Sequence, residues 1–198
     1  MLIRTLPLYF TIAFIGISSA SALAQESNPV TFPDNAPPVV YTPPATTGSG
    51  SRDVLTLTAG MNQNAMLVDA IKACGMEADI RNKSSITIFA PTNSAFQKLP
   101  PGLVEQLMKP ENASILNKII SYHIIEGSHT SASLKEAIKA AKGRAVFTTL
   151  SGNRLIATIE DNRIRLTDDG NNACFITLAD IKASNGTIHI VDKVALPR

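Results

Sequence analysis

The sequence has almost no excess of charge of either sign. Its 198 residues include 18 Lys and Arg against 16 Asp and Glu, a formal net charge of +2 at pH 7. Basic and acidic residues are interleaved along the chain. Proteins that bind the phosphate backbone usually carry a strongly basic, clustered surface. The composition therefore predicts that nucleic acid is not a partner.

The sequence also lacks a hydrophobic run long enough to cross a membrane, which takes roughly 20 apolar residues. A shorter apolar stretch, 6–17, follows Arg4, and the small residues of Ala22-Leu23-Ala24 come after it. This order is typical of an export signal, so residues 1–24 are predicted to be removed. We expect the mature protein in the periplasm or secreted, without a membrane span.

Cysteine is scarce, because only Cys74 and Cys174 occur. Cys74 lies on the apolar stripe of a predicted helix, and Cys174 lies on the apolar face of a predicted strand, so both are expected to point into one core. In an oxidising compartment two thiols that meet are usually joined, and we expect a disulfide between them. Two separate buried thiols are the alternative. The wide spacing does not indicate a Cys-x-x-Cys redox enzyme.

Proline is concentrated in one segment. Six of the twelve prolines lie within 25–52, followed there by Gly48-Ser49-Gly50-Ser51. Such a segment cannot build a core, and we expect a disordered tether. Residues 53–198 remain for one domain, enough to bury roughly 68 to 70% of the surface of the unfolded chain.

Helical spacing dominates the first half of this domain, and strand-like alternation follows Gly143. The pattern predicts the α+β class, with helices against a small sandwich of mostly antiparallel strands. The predicted helices cover 64–74, the segment between Pro101 and Pro110, the segment from Asn112 to a Tyr-His strand, and 133–142, where Ser133-x-x-Glu136 forms a capping box. The predicted strands are 85–90, 145–150, 154–159, 163–167, 173–178 and 187–191.

Three short motifs carry a family resemblance. The strand Ser85–Ala90 ends at Pro91, and Thr92 can cap a helix that follows. Tyr122-His123 lies between this block and Asn185-Gly186, a strong hairpin signal that precedes a second apolar strand. In order and spacing these motifs closely resemble the fasciclin-like (FAS1) family over about 53–198. The resemblance implies a wedge of two sheets with helices along one edge.

The resemblance also points to candidate interaction residues. In animal relatives the region that matches Tyr122 and His123 is implicated in adhesion through integrins. A structural role is the alternative, since a buried Tyr hydroxyl or His nitrogen usually bonds to the backbone. A second adhesion-linked segment of those relatives falls at Leu178–Ile181, where only Asp180 and Ile181 match.

The sequence carries no convincing catalytic or metal-binding set. It has three histidines, His123, His129 and His189, but no Gly-x-Ser-x-Gly elbow around a nucleophile. The pattern His123-x-x-Glu126-x-x-His129 lacks the helical histidine spacing of zinc proteases. We expect no catalytic residues, no cofactor and no metal.

These observations favour a non-enzymatic module outside the cytoplasm that binds an envelope or extracellular protein or polysaccharide. The alternative is a carrier of an apolar small molecule such as a carotenoid, because some fasciclin-like proteins are associated with carotenoids. In that case Phe89, Phe96, Phe147, Phe175 and Tyr122 would line a groove. The sequence leaves the partner and the oligomeric state open.

Overall fold

The structure is a computed structural model that describes residues 52–197. The predicted export signal, 1–24, and all but the last residue of the predicted tether, 25–52, lie outside the described residues. Within the described part, no helix is both long and apolar enough to span a bilayer.

Within residues 52–197, seven strands form one continuous order, β2-β1-β7-β6-β5-β4-β3. All neighbours are antiparallel except β1 and β7, which pair in parallel. A bridge between Ile125 and Thr149 joins the two end strands, so the order closes like a barrel. The strands are β1 Ile86–Pro91, β2 Ile124–Glu126, β3 Arg144–Thr148, β4 Arg154–Glu160, β5 Arg163–Thr167, β6 Ala173–Ala183 and β7 Gly186–Val191.

Strand β6 explains why the seven strands form two sheets. Its first residues pair with β5, and the rest pairs with β7, with irregular register between Ile176 and Ile181. Such bulges bend a strand and increase its twist. β6 therefore turns from one sheet into the other, and the predicted α+β class with two mostly antiparallel sheets is confirmed.

Seven α-helices lie in the described residues, and the predicted signals account for several of their ends. α2 ends before Gly75, whose φ of +72° suits glycine. Thr92 caps α4, because its Oγ1 accepts from the Ala95 N–H at 3.2 Å. The helices are α1 Val54–Ala59, α2 Ala65–Ala73, α3 Glu77–Asn82, α4 Asn93–Gln97, α5 Leu103–Leu107, α6 Ala113–Tyr122 and α7 Ser131–Ala140.

Two predicted helix boundaries are wrong. α7 begins at Ser131, because Thr130 is the cap and its Oγ1 accepts from the Ser133 N–H at 3.2 Å. The capping box predicted at Ser133 therefore lies inside the first turn. α6 continues through Tyr122, and His123 is its C-cap, so the predicted Tyr-His strand is the end of a helix.

In the described part of the chain, the core consists of two hydrophobic clusters on opposite sides of β1 and β7. In β1, Ile86, Ile88 and Ala90 belong to the first cluster, which α1, α2 and α6 cover, whereas Phe89 belongs to the second, with α7. All residues of β1 and β7 are buried. A strand buried on both faces is typical of parallel pairing, which is what these two strands show.

The structure does not show the predicted disulfide. Cys74 and Cys174 are free thiols, and they pack in different clusters, Cys74 against the first and Cys174 within the second. A period of apolar residues shows that a side chain faces a core, but it cannot show which of two cores. Burial raises the pKa of both thiols, that of Cys174 to about 12.

The hairpin between β6 and β7 forms as predicted, but Gly186 is required there for close packing and not for a positive φ. Gly186 does not have a positive φ. A Cβ on Gly186 would lie 2.0 Å from the backbone oxygen of Ile86. Only glycine therefore allows β7 to approach β1 at this register. Asn185 locks the turn, since its side chain accepts from the Val54 N–H at 2.9 Å and donates to the Ile80 carbonyl at 3.1 Å.

We predict that the denatured, unreduced protein contains two titratable thiols. In the native protein Cys74, which is only half-buried, should react with a thiol reagent faster than Cys174, whose thiol is buried and has the higher pKa. Mass spectrometry after timed alkylation measures both. If the two thiols can be labelled only after reduction, the separation of the cysteines is refuted.

We predict that Gly186→Ala lowers the free energy of unfolding by about 3 kcal/mol or more, because backbone must move to admit the Cβ. Gly60→Ala is the matched control, since Gly60 has helical φ and ψ and its Cβ would make an ordinary contact at 3.4 Å. That change should stay within about 1 kcal/mol. Urea unfolding of both variants measures the difference, and equal losses would contradict the proposed close approach.

Candidate interaction surface

Tyr122 is buried at the end of α6, where its hydroxyl bonds to β4 and to the loop after β5. Its side chain is completely buried, and its hydroxyl donates to the Arg154 carbonyl at 2.7 Å and accepts from the Asp169 N–H at 3.2 Å. Burial raises its pKa well above the usual range, which keeps the hydroxyl a neutral donor. A partner could reach this side chain only if the fold opened.

His123 is buried as well, and both of its ring nitrogens have backbone partners. Nε2 accepts from the Ala195 N–H at 3.0 Å, so Nδ1 carries the proton and donates to the Ile119 carbonyl at 2.8 Å. Burial lowers the pKa of His123, which favours the neutral ring. In the described residues both members of the Tyr-His pair therefore have the geometry of the structural alternative.

Asp180 and Ile181 lie in the irregular part of β6, and their side chains have opposite exposure. Ile181 is buried in the first cluster. Asp180 is exposed, with φ at +65°, and its carboxylate accepts from both the N–H and the hydroxyl of Ser131 at the start of α7. This carboxylate stabilises the helix N-terminus, where backbone N–H groups lack partners. Of the four predicted interaction residues, Asp180 alone is accessible.

The third histidine of this region connects Asp180 to the loop before α7. His189 is fully buried, and its Nδ1 accepts from the Asp180 N–H at 3.2 Å. Its Nε2 therefore carries the proton and donates to the His129 carbonyl at 2.9 Å. Burial lowers the pKa of His189, so the ring stays neutral in both bonds. One buried side chain thus holds the bulge and the loop in a fixed relation.

Two threonines of the central strands anchor the same loop. Thr87 donates to the Gly127 carbonyl at 2.6 Å and accepts from the His129 N–H at 2.8 Å. Thr187 shares a hydrogen bond of 2.7 Å with Ser128. We call residues 126–131 together with Asp180 the loop–bulge surface. The sequence pattern missed these anchors, although Thr130-Ser131 ahead of an apolar period would have indicated a helix start there.

The loop–bulge surface is polar and carries no converging reactive groups. Glu126 pairs with Lys83 at 3.2 Å, and the His129 ring contacts the Glu126 carbonyl at 3.1 Å. Because His123 is buried and Glu126 is exposed, the spaced His-Glu-His pattern does not come together. Among residues 52–197 no three His, Cys, Asp or Glu residues are placed to share a metal ion. The geometry suits recognition through hydrogen bonds.

An open groove of about 780 Å³ runs beside α5 and α6. The aromatic residues expected to line a carrier's groove do not line this one. Phe96 belongs to the first cluster, and Phe89 and Tyr122 belong to the second, with Phe147 packed against it. Phe175 lies under Arg163. In the described residues these rings therefore serve the cores and a strand face, and they do not form the groove that the carrier alternative requires. Aliphatic residues line the groove instead, including Leu103, Leu107, Ile115, Ile119, Leu150 and Leu196.

Comparison with curated proteins finds relatives in bacteria and animals. The chain is 35% identical to Protein sll1483 of Synechocystis sp. over 144 residues, which cover 73% of each chain. It is 28% identical to the Immunogenic protein MPT70 of Mycobacterium tuberculosis over 159 residues, 78% of this chain and 69% of that one. Human Periostin is 33% identical over 133 residues, which cover 67% of this chain and 14% of that much longer protein.

A solved structure shares the fold. It is a pair of FAS1 domains from the insect cell adhesion molecule fasciclin I, with a TM-score of 0.51 and 21% sequence identity over 71% of this chain and 43% of that one. The family model of the Fasciclin domain matches residues 62–197. That match, together with the bacterial relative at 35% identity, shows that the chain belongs to the Fasciclin domain family.

Proposed function

We propose that this protein is a non-enzymatic binding module that acts outside the cytoplasm, in the periplasm or after secretion. Its partner is an envelope or extracellular protein or polysaccharide, and the loop–bulge surface makes the contact. The observation that carries the proposal is that this surface is accessible and yet anchored from below by Thr87, Thr187 and His189.

A surface held in this way is prepared for binding. Ordering a loop on association costs free energy, and a loop that is already ordered avoids this cost. Here the backbone of the loop is bonded at Gly127, His129 and Ser131 to side chains of three different strands. The loop–bulge surface can therefore meet a partner with little rearrangement.

Two further observations support a binding role outside the cytoplasm. The fasciclin I domains that share this fold come from a cell adhesion molecule, and the sequence pattern of residues 1–24 is typical of an export signal. A catalytic role has weaker support, because His123 and His189 each use both ring nitrogens on backbone groups and so have none available as a base.

A photo-crosslinking amino acid at Ala132 should capture a specific partner in intact cells of the native host. Ala132 is exposed in the first turn of α7, next to Ser131 and Asp180. The same amino acid at Ala140 is the matched control, because Ala140 is exposed at the other end of the same helix. We expect crosslinked species from Ala132 and not from Ala140, measured by blotting and mass spectrometry.

Tyr122→Phe distinguishes a structural from a binding role of the Tyr-His pair. Loss of the hydroxyl leaves the Arg154 carbonyl and the Asp169 N–H, both part-buried, without this partner, which should cost about 1 to 3 kcal/mol of stability. At temperatures where this variant stays folded, the yield of crosslinking from Ala132 should not change. Equal capture from Ala132 and Ala140, or none from either, would contradict the proposal.

A further inference from the structure

Strands β3, β4 and β5 gather arginines on one face. The three strands contain four arginines and no lysine. Alternate residues such as Ala145, Leu155 and Leu166 point into the second cluster, so the arginines must point outward. Strand pairing aligns two of them, since Arg144 and Arg165 both stand opposite Thr158, whereas Arg154 stands opposite Thr148 at the other end of β3. We call this outward surface the arginine face; it consists of Arg144, Arg154, Arg163 and Arg165, with the apolar Val146 and Ile156 between them and Glu160 opposite Arg163.

The fold thus creates a cluster that is dispersed in the sequence. Within 144–167 the charged residues are the four arginines and two acids, Glu160 and Asp161, so this segment has a net charge of +4 − 2 = +2. Arg163 and Arg165 are two residues apart on one strand, roughly 7 Å, and Arg144 lies two strands from Arg165, roughly 10 Å. Glu160 stands opposite Arg163 and pairs with Arg165, so one acid is interleaved with the arginines on this face as well.

Two of the guanidinium groups are already held in position. Arg163 lies over the ring of Phe175, 4.5 Å from its centre, a cation–π geometry that leaves the N–H edges of the guanidinium free. Arg165 donates to Glu160 at 2.9 Å, while its buried Nε has no hydrogen-bond partner among the described residues. Arginines fixed before binding lose less side-chain entropy when a ligand arrives.

We propose that the arginine face binds a polysaccharide that carries carboxylate groups. The planar guanidinium matches a carboxylate with two parallel hydrogen bonds, which explains arginine in place of lysine on every basic position of these strands. Val146, 47% exposed, and the half-buried Ile156 supply an apolar strip for the C–H faces of sugar rings. The inference rests on the proposed function, since it assumes a binding module outside the cytoplasm.

Other polyanions fit the arginine face less well. A binder of nucleic acid would need a more basic surface than four arginines offset by two acids. A membrane surface is usually met by an amphipathic helix with large apolar residues, and this face is a sheet with one strongly exposed apolar side chain. Both become outcomes of the test.

The test measures binding of the full exported chain to polygalacturonate by titration calorimetry at low salt and at 0.15 M salt. We expect saturable binding that weakens as salt rises. Arg144→Gln with Arg154→Gln should reduce the affinity about tenfold or more, because each removes charged hydrogen bonds. These two arginines are chosen because their side chains are exposed and make no hydrogen bond or ion pair with another described residue, so the variant should keep its melting temperature.

A matched control removes the same charge elsewhere. Lys72→Gln with Lys118→Gln changes two exposed lysines on α2 and α6 and should alter the affinity less than about twofold, since it leaves the arginine face intact. Arg144→Lys with Arg154→Lys keeps the charge but loses the parallel N–H donors of the guanidinium. This variant should therefore bind polygalacturonate with an intermediate affinity. This order of affinities would distinguish directional recognition from diffuse attraction.

Three results would overturn the proposal: no binding to polygalacturonate, an equal loss in the lysine control, or equally tight binding to single-stranded DNA or to vesicles of phosphatidylglycerol. Each would leave the proposed function standing if Ala132 still captures a partner. Failure of the crosslinking test, with binding to polygalacturonate intact, would instead remove the loop–bulge surface from the proposal. The two inferences can therefore fail separately.

Discussion

The parallel pairing of β1 with β7 is the constraint on which the rest of the structure depends. Six residue pairs, from Ile86–Gly186 to Pro91–Val191, place the two strands side by side through the centre of the domain. Because both faces of the pair are buried, it divides the hydrophobic core into two clusters. The register of this pair requires that residue 186 has no Cβ, since a Cβ on Gly186 would collide with the Ile86 backbone.

The same two strands also position the loop–bulge surface. Thr87 and Thr187 are buried polar residues of the central pair, and each bonds to the loop before α7. His189 extends this support to the β6 bulge through the Asp180 N–H. Buried polar groups must be paired to avoid a large desolvation cost, and here their partners belong to the exposed loop. The stability of the core and the order of the candidate surface therefore come from the same contacts.

Elements with a local cause could be predicted from the sequence. The strands after Gly143 alternate because one face is buried, and α2 stops where Gly75 takes a positive φ. Two of the failed predictions depend on distant contacts. Tyr122 stays helical because its hydroxyl meets groups 32 and 47 residues away, which no local pattern contains. The separation of Cys74 from Cys174 depends on the division of the core by β1 and β7. The arginine face could have been found, since alternation in β5 already puts Arg163 and Arg165 on one side.

Native-state hydrogen exchange measures most directly whether the central pair carries the fold. If it does, the amides within β1 and β7 exchange only when the whole domain unfolds, and their exchange free energy equals the global free energy of unfolding. The amides of β3 and β4 should then exchange through smaller openings of lower free energy. Exchange of β1 and β7 by local opening, while β3 to β5 remain protected, would contradict the central role of the parallel pair.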